Sequence, residues 1–296
     1  MSDVLVIAFD GLDKELIEEF ELENIRQEEY GAVDNSSSIF EVMTSELFTS
    51  FITGVNFNEH GVKGLKNKES ESKKKIIDLI SSSTLTSRLP GYYRFQKAVS
   101  ALIDYNTYKP DRSDYDEDTL FEKIIDSKAL FIPGYNPSWF WRINADLNPL
   151  REGATIDETA YHYEREFEFR KKTLFEELDQ DYNFLMCHFH KIDTMQHLYG
   201  GQKGEYDEEK LKFYYEEIDK LVEEIKKKAD YDTIIFMSDH GMPDLETNQH
   251  NENAFYSCNH KMFEDETPHI TDFHDKIMDL VGHENQVKEG IKSINV

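Results

Sequence analysis

Val4-Leu5-Val6-Ile7-Ala8-Phe9-Asp10-Gly11 brings six consecutive apolar residues to a stop at a carboxylate and a glycine. An unbroken apolar run of this length is the pattern of a strand buried on both faces, as in a parallel sheet covered by helices. Asp10 is therefore expected where the chain leaves the sheet. Thr233-Ile234-Ile235-Phe236-Met237 repeats the pattern and ends in Ser238-Asp239-His240-Gly241, and Tyr182 to His190 reads as a further strand followed by Asp193-Thr194-Met195-Gln196-His197. Open α/β sheets keep their sites at the carboxyl ends of such strands.

Residues four apart share one face of a helix, so Asp193 and His197 can close on a single ion. Each feature alone has an ordinary reading: Asp-Gly is a turn, Asp-x-x-x-His a solvated helix face, and Asp-His-Gly a loop. Their combination points elsewhere. With Thr44 and His250 added, seven candidate ligands, Asp10, Thr44, Asp193, His197, Asp239, His240 and His250, make the donor set of a two-metal phosphate-ester site.

In order along nearly the whole chain, these segments resemble the alkaline phosphatase superfamily, within it the branch of type I phosphodiesterases and nucleotide pyrophosphatases. Val6 to Leu12 is similar to the family's first strand and metal-binding Asp. Thr44-Ser45-Glu46-Leu47-Phe48-Thr49-Ser50-Phe51-Ile52-Thr53-Gly54, then His60-Gly61-Val62, resembles its nucleophile segment, where the nucleophile precedes the Thr of a Thr-Gly pair by nine residues and so falls on Thr44. Ser238-Asp239-His240-Gly241-Met242 is similar to the Asp-His-Gly signature. His250 resembles the histidine that follows it, with His260 and His269 as downstream alternatives. The resemblance implies one ion held by Asp10, Asp239 and His240 with Thr44, and another held by Asp193, His197 and His250. It also implies in-line attack by Thr44 to give a phospho-threonine that water then opens. Mixed nitrogen and oxygen donors suit two divalent ions of zinc or manganese better than magnesium or calcium.

Thr44 precedes Phe48, Phe51 and Ile52 at helical spacing and is expected as a helix N-cap, where free amides favour an anion; a plain capping role is the common reading of such a threonine. The chain departs from the family at two positions. Leu47 stands where the phosphodiesterase branch often has an Asn, and Glu46 where it often has a Pro. Lys63, Lys66 or Lys191 could supply the missing contact, although such lysines are ordinarily surface charges. Sulfatase chemistry is not expected, because Thr44 to Phe48 lacks the Cys/Ser-x-Pro-x-Arg pattern. His188 and His190 flank Phe189 on a strand. Either they hold a carboxylate ligand in place, or they are core histidines satisfied by backbone, which is more common.

The expected fold class is α/β, a mostly parallel central sheet flanked by helices (alkaline phosphatase-like core) with a cap insertion. One domain over residues 1–296 is expected, since the candidate ligands span most of the length. The strand rhythm is lost across 66–128, read as a cap insertion, and resumes at Ala129-Leu130-Phe131. Part of Asn136 to Ala160, with Trp139, Phe140, Trp141 and Arg142, is read as a further piece of the cap. Glu164 to Leu178, Glu208 to Lys228 and a closing segment through Phe273, Ile277 and Leu280, stopping near Gly282, read as helices.

The formal net charge of −27, from 33 Lys and Arg against 60 Asp and Glu, disfavours binding to nucleic acid backbones or anionic membranes. A small-molecule phosphate ester remains compatible, because cations invert the local charge. With no apolar run of spanning length, no basic-plus-apolar leader after Met1-Ser2-Asp3, and only Cys187 and Cys258 as cysteines, a soluble cytoplasmic protein without disulfides is expected. The sequence thus favours a metal-dependent hydrolase of phosphodiesters or nucleotide-like substrates. The alternatives are a phosphomonoesterase, a phosphoryl-transfer mutase, or a metal-binding protein without turnover.

Overall fold

The computed structural model describes residues 2–35, 43–62, 110–137, 155–201, 206–244, 250–263, 266–282 and 285–286. All lie within one compact unit, Met1–Lys63 with Pro110–Val296. Its strands are β1 (Val4–Phe9), β2 (Glu29–Ala32), β3 (Ser127–Leu130), β4 (Phe184–Phe189), β5 (Thr233–Ser238) and β6 (Phe255–Cys258), arranged as one sheet in the order β2-β6-β5-β1-β4-β3. β1 is parallel to β4 and β5, and β3 to β4, whereas β6 runs antiparallel to both β5 and β2. The α/β class with a mostly parallel sheet is therefore observed.

Period-two alternation in β1 divides the core. Leu5, Ile7 and Phe9 face one apolar layer, and Val4, Val6 and Ala8 the other. Helices α1 (Lys14–Glu19), α5 (Ile156–Glu177), α6 (Lys191–Tyr199) and α7 (Glu208–Lys228) cover the first face through Ile17, Leu174, Met195 and Ile218. On the second face, α2 (Thr44–Thr53), α4 (Leu120–Lys123) and α8 (Asp272–Val281) pack through Phe51, Phe121 and Phe273, and the short α3 (Phe57–His60) follows α2. All six β1 side chains are buried. At about 1.5–3 kcal/mol for each fully buried large apolar side chain, this central strand is strongly fixed, and so is the residue at its end.

The expected helix 164–178 begins earlier, at Ile156. Thr155 Oγ1 accepts from Glu158 N at 3.2 Å, and the Glu158 carboxylate accepts from Thr155 N at 2.8 Å, a reciprocal cap that starts the helix inside the stretch assigned to the cap. The strand expected from Ala129 starts at Ser127. The remaining helices and strands fall close to their expected positions, α7 at Glu208–Lys228 and α8 ending against Gly282. Of the 66–128 insertion, residues up to 109 lie outside the described residues, as do Lys63 and Trp139 to Arg142. Among the described residues no helix is long and apolar enough to cross a membrane.

Candidate metal centre

Sheet register gathers the acidic residues. Phe9 pairs with Ser238 on one side and Phe189 on the other, so the next residues, Asp10, Asp239 and His190, leave the sheet side by side. Helix α6 begins one residue after His190 and carries Asp193 and His197. Asp193 N donates to the Asp10 carbonyl at 3.1 Å, which holds this helix against the end of β1. Gly11 makes the approach possible. Its φ is +70°, and a Cβ there would lie 3.1 Å from Asp193 Cβ and 3.0 Å from Gln196 Oε1.

Two groups of donors result. In the first, Asp10 Oδ1 lies 3.1 Å from His240 Nε2 and 3.1 Å from Thr44 Oγ1; Thr44 Oγ1 lies 3.4 Å from His240 Nε2, and Asp239 Oδ2 lies 3.5 Å from the same nitrogen. In the second, Asp193 Oδ1 stands 3.3 Å from His197 Nε2 and 3.2 Å from His250 Nε2, and the two imidazole nitrogens are 3.3 Å apart. Asp10, Asp239 and His240 are buried, while His197 and His250 are partly open.

These distances test the fit to cations. Around an ion bound tetrahedrally at about 2.0–2.1 Å, neighbouring donors stand about 3.3 Å apart. Both groups match that edge. The buried Asp239 Oδ2 receives no hydrogen bond among the described residues, as a carboxylate oxygen kept for a cation would not. The donors present therefore fit a pair of divalent ions.

The electrostatics follow from three carboxylates packed beneath the surface. Burial works against charge on Asp10, yet the attraction and hydrogen bonds of His190 and His240 hold its carboxyl well below the usual range. Burial and the nearby Asp10 oppose ionisation of Asp193, but His197, His250 and His190 keep it low as well. For Asp239 burial wins, and its carboxyl is pushed up to about 6. His240 goes the other way. Burial disfavours its imidazolium, but Asp239 and Asp10 raise it to about 10. Divalent cations would take over the role of these protons.

Thr44 differs from its expected role by one position. Met43 occupies the N-cap without a side-chain hydrogen bond, and Thr44 is the first helical residue. Its hydroxyl is thus turned to Asp10 and His240 instead of capping the helix. His250 joins Asp193 and His197, whereas His260 pairs with Thr233 and His269 with Thr271. Leu47 is buried in the apolar layer of α2. Lys191 is not a surface charge. It is 2% exposed, with Nζ 2.7 Å from Glu164 and 2.8 Å from Glu217 and lying over the Phe167 ring. His60 Nε2 meets Ser50 Oγ at 3.0 Å, and its Nδ1 accepts from Val62 N at 3.1 Å.

His190, for which the sequence leaves open a role in holding a carboxylate ligand or a place as a core histidine, stands beside the carboxylates. Its Nδ1 is in hydrogen-bond contact with Asp10 Oδ2, and Asp10, His190 and Asp193 form a third ligand-capable group shared between the other two. Burial lowers the affinity of His190 for a proton, and Asp10 and Asp193 more than restore it.

By sequence the chain matches the type I phosphodiesterase / nucleotide pyrophosphatase family over residues 4–256. No curated protein matches it. Among solved structures it is similar to murine ectonucleotide pyrophosphatase / phosphodiesterase 5, with 14% identity and a TM-score of 0.44, covering 81% of this chain and 57% of that one. The PH0037 protein from Pyrococcus horikoshii gives 14% identity and a TM-score of 0.48, over 98% and 99% of the two chains. TAB5 alkaline phosphatase gives 13% identity and a TM-score of 0.41, over 94% and 97%. The chain thus spans 57% of the length of the murine protein.

Proposed function

The chain belongs to the type I phosphodiesterase / nucleotide pyrophosphatase family, and on that premise we propose that it is a metal-dependent phosphoesterase whose nucleophile is Thr44 and whose substrates are phosphodiesters or nucleotide-like esters. The observation that carries this reading is the position of Thr44 Oγ1, 3.1 Å from Asp10 Oδ1 and 3.4 Å from His240 Nε2 at the first turn of α2. Two divalent ions, one held by Asp10, Asp239, His240 and Thr44 and the other by Asp193, His197 and His250, would offset the charge of the phosphate and lower the pKa of the hydroxyl beside them.

The residues divide the remaining work. The Thr44 hydroxyl gives up its proton to solvent, and Oγ1 attacks phosphorus in line as the bond to the leaving oxygen breaks; that oxygen takes a proton from solvent. Water then attacks the phospho-threonine, the bond from phosphorus to Thr44 breaks, and Oγ1 regains a proton as the attacking water gives one up. The start of α2 aids both steps, since first-turn amides and the helix dipole favour an anion there. Asp10 and His240, both buried, hold the position of Oγ1 between them.

The test is hydrolysis of bis-nitrophenyl and mono-nitrophenyl phosphate after chelation and re-addition of zinc or manganese. Wild type is expected to regain activity and to prefer the diester, while Thr44→Ala falls by about 10³-fold or more. Equal activity in the two proteins would remove Thr44 from the reaction. A preference for the monoester would turn the substrate reading towards a phosphomonoesterase.

A further inference from the structure

The two oxygens of Asp10 face different partners. Oδ1 looks towards Thr44 Oγ1 and His240 Nε2, each at 3.1 Å. Oδ2 looks towards a pair of histidines on the opposite side: His190 Nδ1 is in direct hydrogen-bond contact with it, and His188 Nε2 lies 3.7 Å away. The tautomer of His188 is fixed by what lies behind it. The buried Arg170 places Nη1 3.2 Å from His188 Nδ1 and 2.7 Å from the His188 carbonyl. A guanidinium only donates, so His188 Nδ1 accepts and its proton sits on Nε2, towards Asp10.

We propose that His190, with His188 beside it, is a positioning residue that occupies Asp10 Oδ2 and so presents Oδ1 alone to the cation and to Thr44. The proposal rests on the metal-dependent reading above and names the group that makes one of its ligands single-sided. A hydrogen-bond role for His190 is favoured over direct ligation. Its Nδ1 is in hydrogen-bond contact with Asp10 Oδ2, whereas Thr44 Oγ1 and His240 Nε2 face the other oxygen, Oδ1. An aspartate free to turn would bind with either oxygen or both, and Thr44 would lose its fixed neighbour. Outer partners that orient a metal ligand typically change affinity by about 10–100-fold when removed.

The experiment is a cobalt(II) titration of the chelated full chain, followed by its visible absorption, in wild type, His190→Ala, His190→Asn and His190→Gln. Each is also titrated in a His197→Ala background, which leaves the Asp10 group with its full set of donors. The expected result is a loss of about 10–100-fold in affinity at the Asp10 group for His190→Ala and His190→Gln. His190→Asn is expected to be restored, because its amide nitrogen takes the place of Nδ1 and donates to Oδ2. The absorption of the fully loaded Asp10 group should keep the same form throughout.

Wild-type affinity in His190→Ala would overturn the proposal while leaving the metal-dependent reading standing. So would an absorption change that marks the loss of a nitrogen ligand, or a His190→Asn as weak as His190→Ala. A wild-type chain that takes up no cobalt would overturn the metal-dependent reading itself, and the proposal with it.

Discussion

His240 and His250 lie ring on ring, their centroids 3.8 Å apart and their planes 5° from parallel. His240 belongs with Asp10 and Asp239, and His250 with Asp193 and His197, so the stack is the wall that the two ligand groups share. His250, itself partly exposed, stacks directly on the fully buried His240.

His250→Ala is accordingly expected to weaken cation binding at both groups, because it removes a ligand from one and the cover from the other. His250→Phe keeps a flat ring over His240 and should weaken only the Asp193 group. Calorimetric titration with zinc separates the two cases. Identical profiles for the two variants would show that the stack does not support His240.

Gly11 meets two demands, and they can be separated. Its φ of +70° would cost another residue about 1–2 kcal/mol, and its missing Cβ lets Asp193 come close. Gly61 has a φ of +68° with nothing within 4 Å of a Cβ, so it shares the first demand only. Gly61→Ala should lower stability without touching cation affinity. Gly11→Ala should lower stability by at least as much and also weaken binding at Asp193. Thermal melts beside zinc titrations give both readouts, and unchanged binding in Gly11→Ala would refute the argument from close approach.

Much of this architecture is legible in sequence for a simple reason. β1, β4 and β5 are buried on both faces, so their apolar runs are continuous except at His188 in β4, and the residues that end them are named by position alone. Asp10, Asp239 and His240 needed no tertiary information. His190 and Lys191 did. The carboxylate that meets His190 is on another strand, and the two that enclose Lys191 come from α5 and α7, whose charged residues read as solvated faces. Thr44 shows a third limit. A threonine at a helix start ordinarily caps it, and only the carboxylate and imidazole facing Thr44 turn its hydroxyl away from the backbone.

Removing the cations should destabilise the chain as well as silence it, since Asp10, Asp193 and Asp239 crowd their charges in a buried space. Ligand linkage contributes about 2.7 kcal/mol per site at a hundredfold excess over Kd. Adding zinc or manganese to the chelated protein should therefore raise Tm, by less in His197→Ala, where one group has lost a donor. A Tm indifferent to both metals would contradict the fit of these donors to cations.

Acid should act on the fold through His60, away from the ligands. Burial lowers its pKa from 6.5 to about 4 in the native state, so between these values the unfolded chain binds the extra proton. Its contribution to stability is complete above pH 6.5 and is lost as pH falls towards 4. The slope is at most about 1.4 kcal/mol per pH unit, for a total of roughly 3 kcal/mol over the window. His60→Gln keeps a donor for Ser50 but cannot titrate. It should be less stable than wild type near pH 8, by about 1 kcal/mol for the lost Val62 hydrogen bond, and the order should reverse between pH 6.5 and 4.5. Urea melts across that range provide the difference, in which the ligand-capable groups common to both proteins cancel. A constant gap would mean that His60 takes up its proton in the folded state as readily as in the unfolded one.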